Sequence, residues 1–171
     1  MITVKHIFKS FADVQILKDI SFVFETGKTN LIIGKSGSGK SVLTKCIVGL
    51  FEPDEGEIFY DDRKLSDLKP KARKEIRKEI GMLFQASALF DSLTVEENVA
   101  FPLNMFTKMT KEEISDRVNF CLNRVNIINK NQLFPSELSG GMQKRVAIAR
   151  AIAMQPKYLF CDEPNSGLDP V

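Results

Sequence analysis

Between residues 34 and 41 the chain reads Gly34-Lys35-Ser36-Gly37-Ser38-Gly39-Lys40-Ser41, which fits the spacing G-x-x-x-x-G-K-[ST]. Four fixed positions of ordinary frequency fall together at roughly 1 in 20,000 starting points, so chance supplies this run in under about one chain in a hundred of such length. The pattern constrains fold as well as ligand. The apolar run Leu31-Ile32-Ile33 before it suits a strand buried on both faces of a sheet, and the residues behind it predict a helix from Val42 to Gly49. Strand, glycine-rich loop and helix form the α/β unit whose ligand lies at the carboxyl end of a strand. The glycines let successive backbone N–H groups turn inward as an anion nest, and the helix N-terminus adds partial positive charge. Such a loop holds a nucleoside triphosphate, with Lys40 reaching its β and γ phosphates and the Ser41 hydroxyl ligating Mg2+.

A metal beside phosphates also needs a carboxylate. Tyr158-Leu159-Phe160-Cys161-Asp162-Glu163 supplies one, because a mostly apolar strand from Lys157 to Cys161 delivers Asp162 to the edge of a sheet, where it can hold Mg2+ through a water. Glu163 follows across the pleat, placed to polarise a water for attack on the γ-phosphate. Leu138-Ser139-Gly140-Gly141-Met142 opens a helix predicted to run to about Met154, with Ser139 as N-cap and two glycines leaving the first amides uncovered. Taken alone, this run reads equally as a second anion-binding helix end and as a capped start whose glycines allow close packing. Beside the first loop, a second anion end suggests a triphosphate clamped from both sides across a dimer.

The rest of the chain fits around these three runs. Strands are predicted over residues 2–8 and 16–24, closed by a Thr26-Gly27 turn, and at Ile58 to Tyr60 after an Asp54-Glu55-Gly56 turn. The segment Lys69 to Glu79, largely basic with Ile76 and Ile80 spaced i, i+4, reads as an amphipathic helix facing water. Contact with acidic lipid headgroups is the less favoured alternative. Helices are predicted at Thr94 to Phe106 and Thr110 to Asn126, the second opening on a Thr110-x-x-Glu113 capping box. Residues from about 86 to 155 then form a helical insertion between two strands.

Composition excludes several classes. With 43% hydrophobic and 27% charged residues, 171 residues can bury a substantial core. The 24 Lys and Arg against 22 Asp and Glu leave a net charge of +2, too little for a nucleic-acid footprint. Cys46, Cys121 and Cys161 are far apart and His6 is the lone histidine, so no zinc-type cluster forms and the thiols are expected reduced in a cytosolic core. The N-terminus lacks the pattern of a signal peptide, and no apolar run approaches the ~18 residues of a membrane span.

In this order, the Gly34 to Ser41 loop, Gln85 after the Gly81-Met82-Leu83-Phe84 strand, Leu138-Ser139-Gly140-Gly141, the Asp162-Glu163 pair and Ser166-Gly167-Leu168-Asp169 resemble the nucleotide-binding domain of an ABC ATPase, along the whole chain. The resemblance implies an α/β P-loop NTPase fold, with a RecA-like core sheet, an antiparallel β subdomain and an inserted α-helical signature subdomain. Residues 1–85 and 156–171 would be the catalytic core and about 86–155 the helical part of one domain. ATP and Mg2+ are the implied ligands. Carried over residue by residue, Phe11 becomes the aromatic that stacks on adenine, a position more often Tyr. Gly34, Lys35, Ser36, Gly37, Ser38, Gly39, Lys40, Ser41 and Val42 hold the phosphates. Gln85 senses the metal and the lytic water, completes the metal set with Ser41 and Asp162, and joins Glu163 as catalytic. Ser139, Gly140 and Gly141 grip the partner subunit's γ-phosphate, and Asp169 communicates between the two sites.

Two details are similar to the ATPase subunits of the Mla and Mce-associated lipid transporters: the signature LSGGM in place of LSGGQ, and the stretch ALFDSLTVEENVAFPL after Gln85. That resemblance implies a head-to-tail homodimer with ATP at its interface, two integral-membrane permease subunits, an Mce-type lipid-binding protein, phospholipid as cargo, and a place on the cytoplasmic face of the inner membrane. Ala88-Leu89-Phe90 would border the groove for the permease's coupling helix, with a plain core role for Leu89 and Phe90 equally open. Asn165 stands where Thr or Ser usually follows the Glu163-Pro164 pair. Other cargoes stay open, as does a nucleotide-binding fragment without turnover. The nucleic-acid and ribosome-associated ABC ATPases fit poorly, since Gln85 to Ser139 holds no sustained heptads and the chain has room for one such domain. The chain stops at Val171, before the strand on which the family sets its switch histidine. It is therefore expected to be most of a domain, binding Mg-ATP and hydrolysing it slowly.

Overall fold

Two strands of alternating burial, β1 (Ile2–Phe11) and β2 (Val14–Phe24), pair as an antiparallel hairpin across Ala12-Asp13. With β3 (Glu55–Tyr60) and β4 (Arg63–Lys64) they make a four-stranded sheet in the order β2-β1-β3-β4. This is a computed structural model that describes residues 1–85 and 87–162, and the chain gathers in it into two compact units, Met1–Arg77 and Lys78–Val171. Ile2, Val4, Ile58 and Tyr60 point into the first unit's core. His6, in the left-handed region at φ 50, offsets the register between Val4 and Ile7 and returns Ile7 to the buried face. Gly56 meets this bulge at φ 96, where a Cβ would collide with the His6 carbonyl. The turn expected at 54–56 is therefore the start of β3, with Glu55 opposite Phe8.

Helix α1 (Lys40–Ile47) begins two residues before the predicted start and ends at a glycine stop. The Leu50 N–H donates to the Lys45 carbonyl (2.8 Å) and the Gly49 N–H to the Cys46 carbonyl (3.1 Å), with Gly49 at φ 74. The fully buried Tyr60 hydroxyl donates to the Ile47 carbonyl at 2.9 Å and ties sheet to helix. Helix α2 (Pro70–Lys78) buries Ile76 and turns most of its basic residues to solvent. Ile80, expected on the same helix face, instead opens the next strand.

In the second unit β5 (Ile80–Leu83) and β6 (Tyr158–Cys161) pair in parallel, from Ile80 opposite Tyr158 to Leu83 opposite Cys161. A parallel pair requires a crossover. The chain between supplies α3 (Val95–Phe106), α4 (Lys111–Arg124) and α5 (Gly140–Ile152). Val99 and Leu103 of α3, Val118 and Leu122 of α4 and Val146 of α5 meet in one apolar cluster, each worth about 1.5–3 kcal/mol when fully buried. Thr94 and Thr110 each close a complete capping box, with Glu97 and Glu113 reaching back to the cap N–H at 2.8 and 2.6 Å. Two arginines cap the neighbouring helix reciprocally. Arg117 of α4 donates to the Ala153 and Ile152 carbonyls at 2.8 and 2.9 Å, and Arg145 of α5 donates to the Asn126 carbonyl at 3.1 Å.

Two expectations are corrected. Leu31-Ile32-Ile33 joins neither sheet, and Leu31 and Ile33 are 80% and 84% exposed. An apolar run favours burial, but a strand also needs a neighbour to share its hydrogen bonds. Here Asn30 instead folds the preceding residues into a local turn, donating to the Glu25 and Lys28 carbonyls. Cys46 and Cys121 are buried, but Cys161 is exposed, because alternation along β6 puts Leu159 and Cys161 on its uncovered face.

Candidate functional site

Two glycines of the phosphate loop hold backbone that any side chain would strain. Gly37 and Gly39 lie at φ 75 and 92, and a Cβ on Gly39 would meet Ile16 Cγ2 and Leu17 Cδ2, both at 3.0 Å. A Cβ on Gly34 would meet Ser38 Oγ at 2.6 Å. The Ser38 N–H closes the loop on the Lys35 carbonyl at 3.2 Å. Gly39 caps α1 with no side-chain hydrogen bond, and no acidic residue stands in the first turn. The N-terminus of α1 thus follows an exposed glycine-rich loop and carries no acidic residue in its own first turn. Lys40 curls over it, its Nζ donating to the carbonyls of Gly34 and Lys35, both at 3.0 Å, while Ser41 and Val42 sit half-buried on the first turn. Lys35 and Ser36 lie exposed in the loop.

Phe11 ends β1 with 43% of its surface exposed and is held edge-on by Phe51, ring centroids 5.4 Å apart. Lys9 Nζ stands 5.5 Å from its ring and pairs at 2.6 Å with Asp54, whose carboxyl is held below the usual range chiefly by that hydrogen bond. The ring is thus a supported, partly open aromatic face, as base stacking requires.

In the second unit, Gln85 and Asp162 follow the carboxyl ends of β5 and β6. The Asp162 N–H extends the ladder by donating to the Leu83 carbonyl at 2.9 Å, and Asp162 is 8% exposed. Parallel pairing thus brings both predicted metal-side residues to one edge of one sheet, where open α/β sheets place their ligands. Ser139 caps α5, its hydroxyl accepting from the Met142 N–H at 3.3 Å. Nothing lies within 4 Å of a Cβ on Gly140 or Gly141. Among the described residues, close packing therefore does not explain those glycines. Among the described residues, no three His, Cys, Asp or Glu gather as a metal-holding group. The Ser41 hydroxyl in the first unit and the Asp162 carboxylate in the second are each hard oxygen donors of the kind magnesium takes. Glu163 and Asp169 lie outside the described residues.

Sequence reasoning missed two residues behind this edge. Asn98, fully buried, accepts from the Phe90 N–H at 2.8 Å and donates to the carbonyls of Phe90, Leu93 and Thr94 at 3.0 to 3.1 Å. Arg150 donates to the carbonyls of Ala88 and Ser87 at 2.8 and 2.9 Å. A polar residue on the apolar stripe of a predicted helix was the available signal for Asn98. Arg150 reads as an ordinary surface arginine until the fold exists.

Residues 17–166 match the ABC transporter family. The methionine import ATP-binding protein MetN of Clostridioides difficile is 45% identical over 99% of this chain and 53% of its own length. A probable ribonucleotide transport ATP-binding protein, mkl, of Mycobacterium leprae is 42% identical over 99% of this chain and 49% of its own. The chain spans about half the length of these curated relatives. Among solved structures, the dimeric ATP-binding cassette MJ0796, in a post-hydrolysis state bound to ADP and Pi, superposes with a TM-score of 0.91 at 36% identity, covering 99% of this chain and 76% of that one. CbiO1 from Clostridium perfringens, part of the ABC transporter complex cbiONQ, gives 0.85 at 34% identity, over 99% and 67%. The chain therefore belongs to the ABC transporter family and has the α/β fold of its ATP-binding cassette.

Proposed function

We propose that this chain is the ATP-binding and ATP-hydrolysing part of an ABC transporter. The observation that carries the reading is the loop before α1: glycines at φ 75 and 92, a glycine at the helix N-cap, and a lysine whose ammonium lies over the loop. Gly34 to Ser41 and Val42 hold the phosphates, with Lys40 on the β and γ groups and Phe11 against the base. Ser41, Asp162 and Gln85 serve Mg2+, which when bound neutralises charge on the β and γ oxygens. Glu163 accepts a proton from the attacking water. Ser139, Gly140 and Gly141 present amides to a triphosphate on a second copy, and Asp169 links the paired sites. The dimeric state of MJ0796 supports that pairing.

Among the described residues no helix is long and apolar enough to cross a membrane. On the strength of the transporter family and the transport names of its relatives, the chain works beneath permease subunits on the cytoplasmic face, and no nucleic acid is its partner. Residues 1–85 with 156–171 act as the catalytic core and about 86–155 as the helical signature part. For cargo we favour phospholipid, delivered through an Mce-type protein, on the LSGGM signature and the stretch Ala88 to Leu103. The relative named for methionine import favours a second reading. A permease and an Mce-type protein encoded beside this chain are expected on the first reading, and a methionine-binding protein there would overturn it.

The nucleotide reading is tested with a fluorescent ATP analogue at equilibrium. Replacing Lys40 by Ala removes charge-assisted hydrogen bonds worth about 1.5–3 kcal/mol, so affinity should fall roughly 10- to 100-fold. Lys71→Ala, on the exposed face of α2, should leave it unchanged. Equal affinity in wild type and Lys40→Ala would refute the assignment.

A further inference from the structure

Ser87 and Ala88 both occupy the left-handed region, at φ 47 and 49. For residues with a Cβ this conformation is strained and persists only where the surroundings impose it. What imposes it here is Arg150, whose two terminal nitrogens donate separately to the carbonyls of these same residues, at 2.8 and 2.9 Å. The guanidinium also stands 5.8 Å from the centroid of the Phe90 ring. Burial lowers its pKa, so the charge sits in a place that disfavours it. A fixed planar fork on two successive carbonyls sets the position of the backbone in a way a single point charge cannot.

The same helix touches the other limb of the turn. Gly81 of β5 lies so close to α5 that a Cβ would collide with the Ala151 carbonyl and come within 2.8 Å of Pro156 Cγ. Gln85 stands between these two contacts. The far end of α5 carries Ser139 to Gly141. One rigid helix therefore holds the strand before Gln85, holds the backbone after it, and begins in the signature.

We propose that Arg150 is a positioning residue for Gln85: by gripping the Ser87 and Ala88 carbonyls it fixes the turn that carries Gln85 and ties it to the signature helix. The inference rests on the reading of Gln85 as a magnesium-side residue. The decisive variant is Arg150→Lys, which keeps the charge but can satisfy one carbonyl in place of two; Arg150→Ala accompanies it, with circular dichroism to check folding.

Equilibrium binding of the fluorescent ATP analogue is measured with and without Mg2+. The wild type is expected to gain affinity with Mg2+. Arg150→Lys should bind within twofold of wild type without Mg2+ and lose about tenfold of the magnesium gain, and in a Gln85→Ala background it should lose nothing further. A merely structural role would weaken both conditions together, and that result, or an intact magnesium gain in Arg150→Lys, overturns the inference. If Arg150→Ala does not fold, Arg150→Lys alone decides. A wild-type chain that binds no nucleotide would overturn the functional reading, and the inference with it. Wild-type binding with an unaffected variant would overturn the inference alone.

Discussion

Replacing Asn98 by Ala should cost more than any exposed polar substitution in the second unit, and the amount follows from its partners. Asn98 is 0% exposed and its amide engages four main-chain groups. Two of them keep a second partner after truncation: the Phe90 carbonyl retains the Leu93 N–H at 3.1 Å, and the Thr94 carbonyl retains the Asn98 N–H at 2.9 Å. The Phe90 N–H and the Leu93 carbonyl lose theirs. Each orphaned group costs about 1–3 kcal/mol when closed to water. Both residues keep some solvent contact, so the lower half of that range applies to each, and the two groups together cost about 2–4 kcal/mol. At about 2–4 °C per kcal/mol for a chain of this size, melting should fall by roughly 4–16 °C. Differential scanning calorimetry beside urea unfolding would measure it, with Gln132→Ala as control, since that side chain bonds Glu96 at 2.8 Å on the exposed surface. The control should shift by under about 0.5 kcal/mol. A loss for Asn98→Ala as small as the control's would refute the account, since the loop from Phe90 to Thr94 would then be held by packing alone.

Three further outcomes are expected. Gly81→Ala forces β5 and α5 apart against a backbone carbonyl, an overpacking cost of about 1–3 kcal/mol that urea unfolding would read. Arg117→Met removes two capping bonds from the end of α5 and should cost about 1–2 kcal/mol, whereas Arg145→Met, with contacts of 3.1 and 3.4 Å, should cost less than that; the order of the two unfolding midpoints checks it. Burial raises the Cys46 and Cys121 thiols above their ordinary value. Their contribution to stability is thus complete below the unfolded thiol's pKa near 8.5 and falls as pH rises beyond it. At pH 8 both should resist Ellman's reagent in the native chain and react in denaturant; rapid native labelling of either would contradict the burial.

The local signals were legible because they are local. A threonine three residues before a glutamate specified the capping box at Thr110, the same pattern at Thr94 having passed unread, and the spacing of glycines around Lys40 specified the phosphate loop, since each depends on a few adjacent backbone groups and little else. Ser139 as the cap of α5 was readable for the same reason. The Leu31 to Ile33 run misled because a strand is a property of a pair, and a sequence records apolarity without recording who supplies the ladder. The exposure of Cys161 was hidden in the same way, as only the sheet decides which face of β6 is covered.

What the sequence by itself determined is therefore local: a glycine loop with a lysine folded over it, and Asp162 at the end of a strand, each encoded in fewer than ten consecutive residues. What the tertiary structure alone decided is how those pieces are held. Arg150 meets Ser87, Arg117 meets Ala153, and Gly81 meets Ala151 across long stretches of chain. Such contacts exist only once helices cross a strand at a set distance, because directional hydrogen bonds and steric limits act through space and leave no periodic trace along the chain.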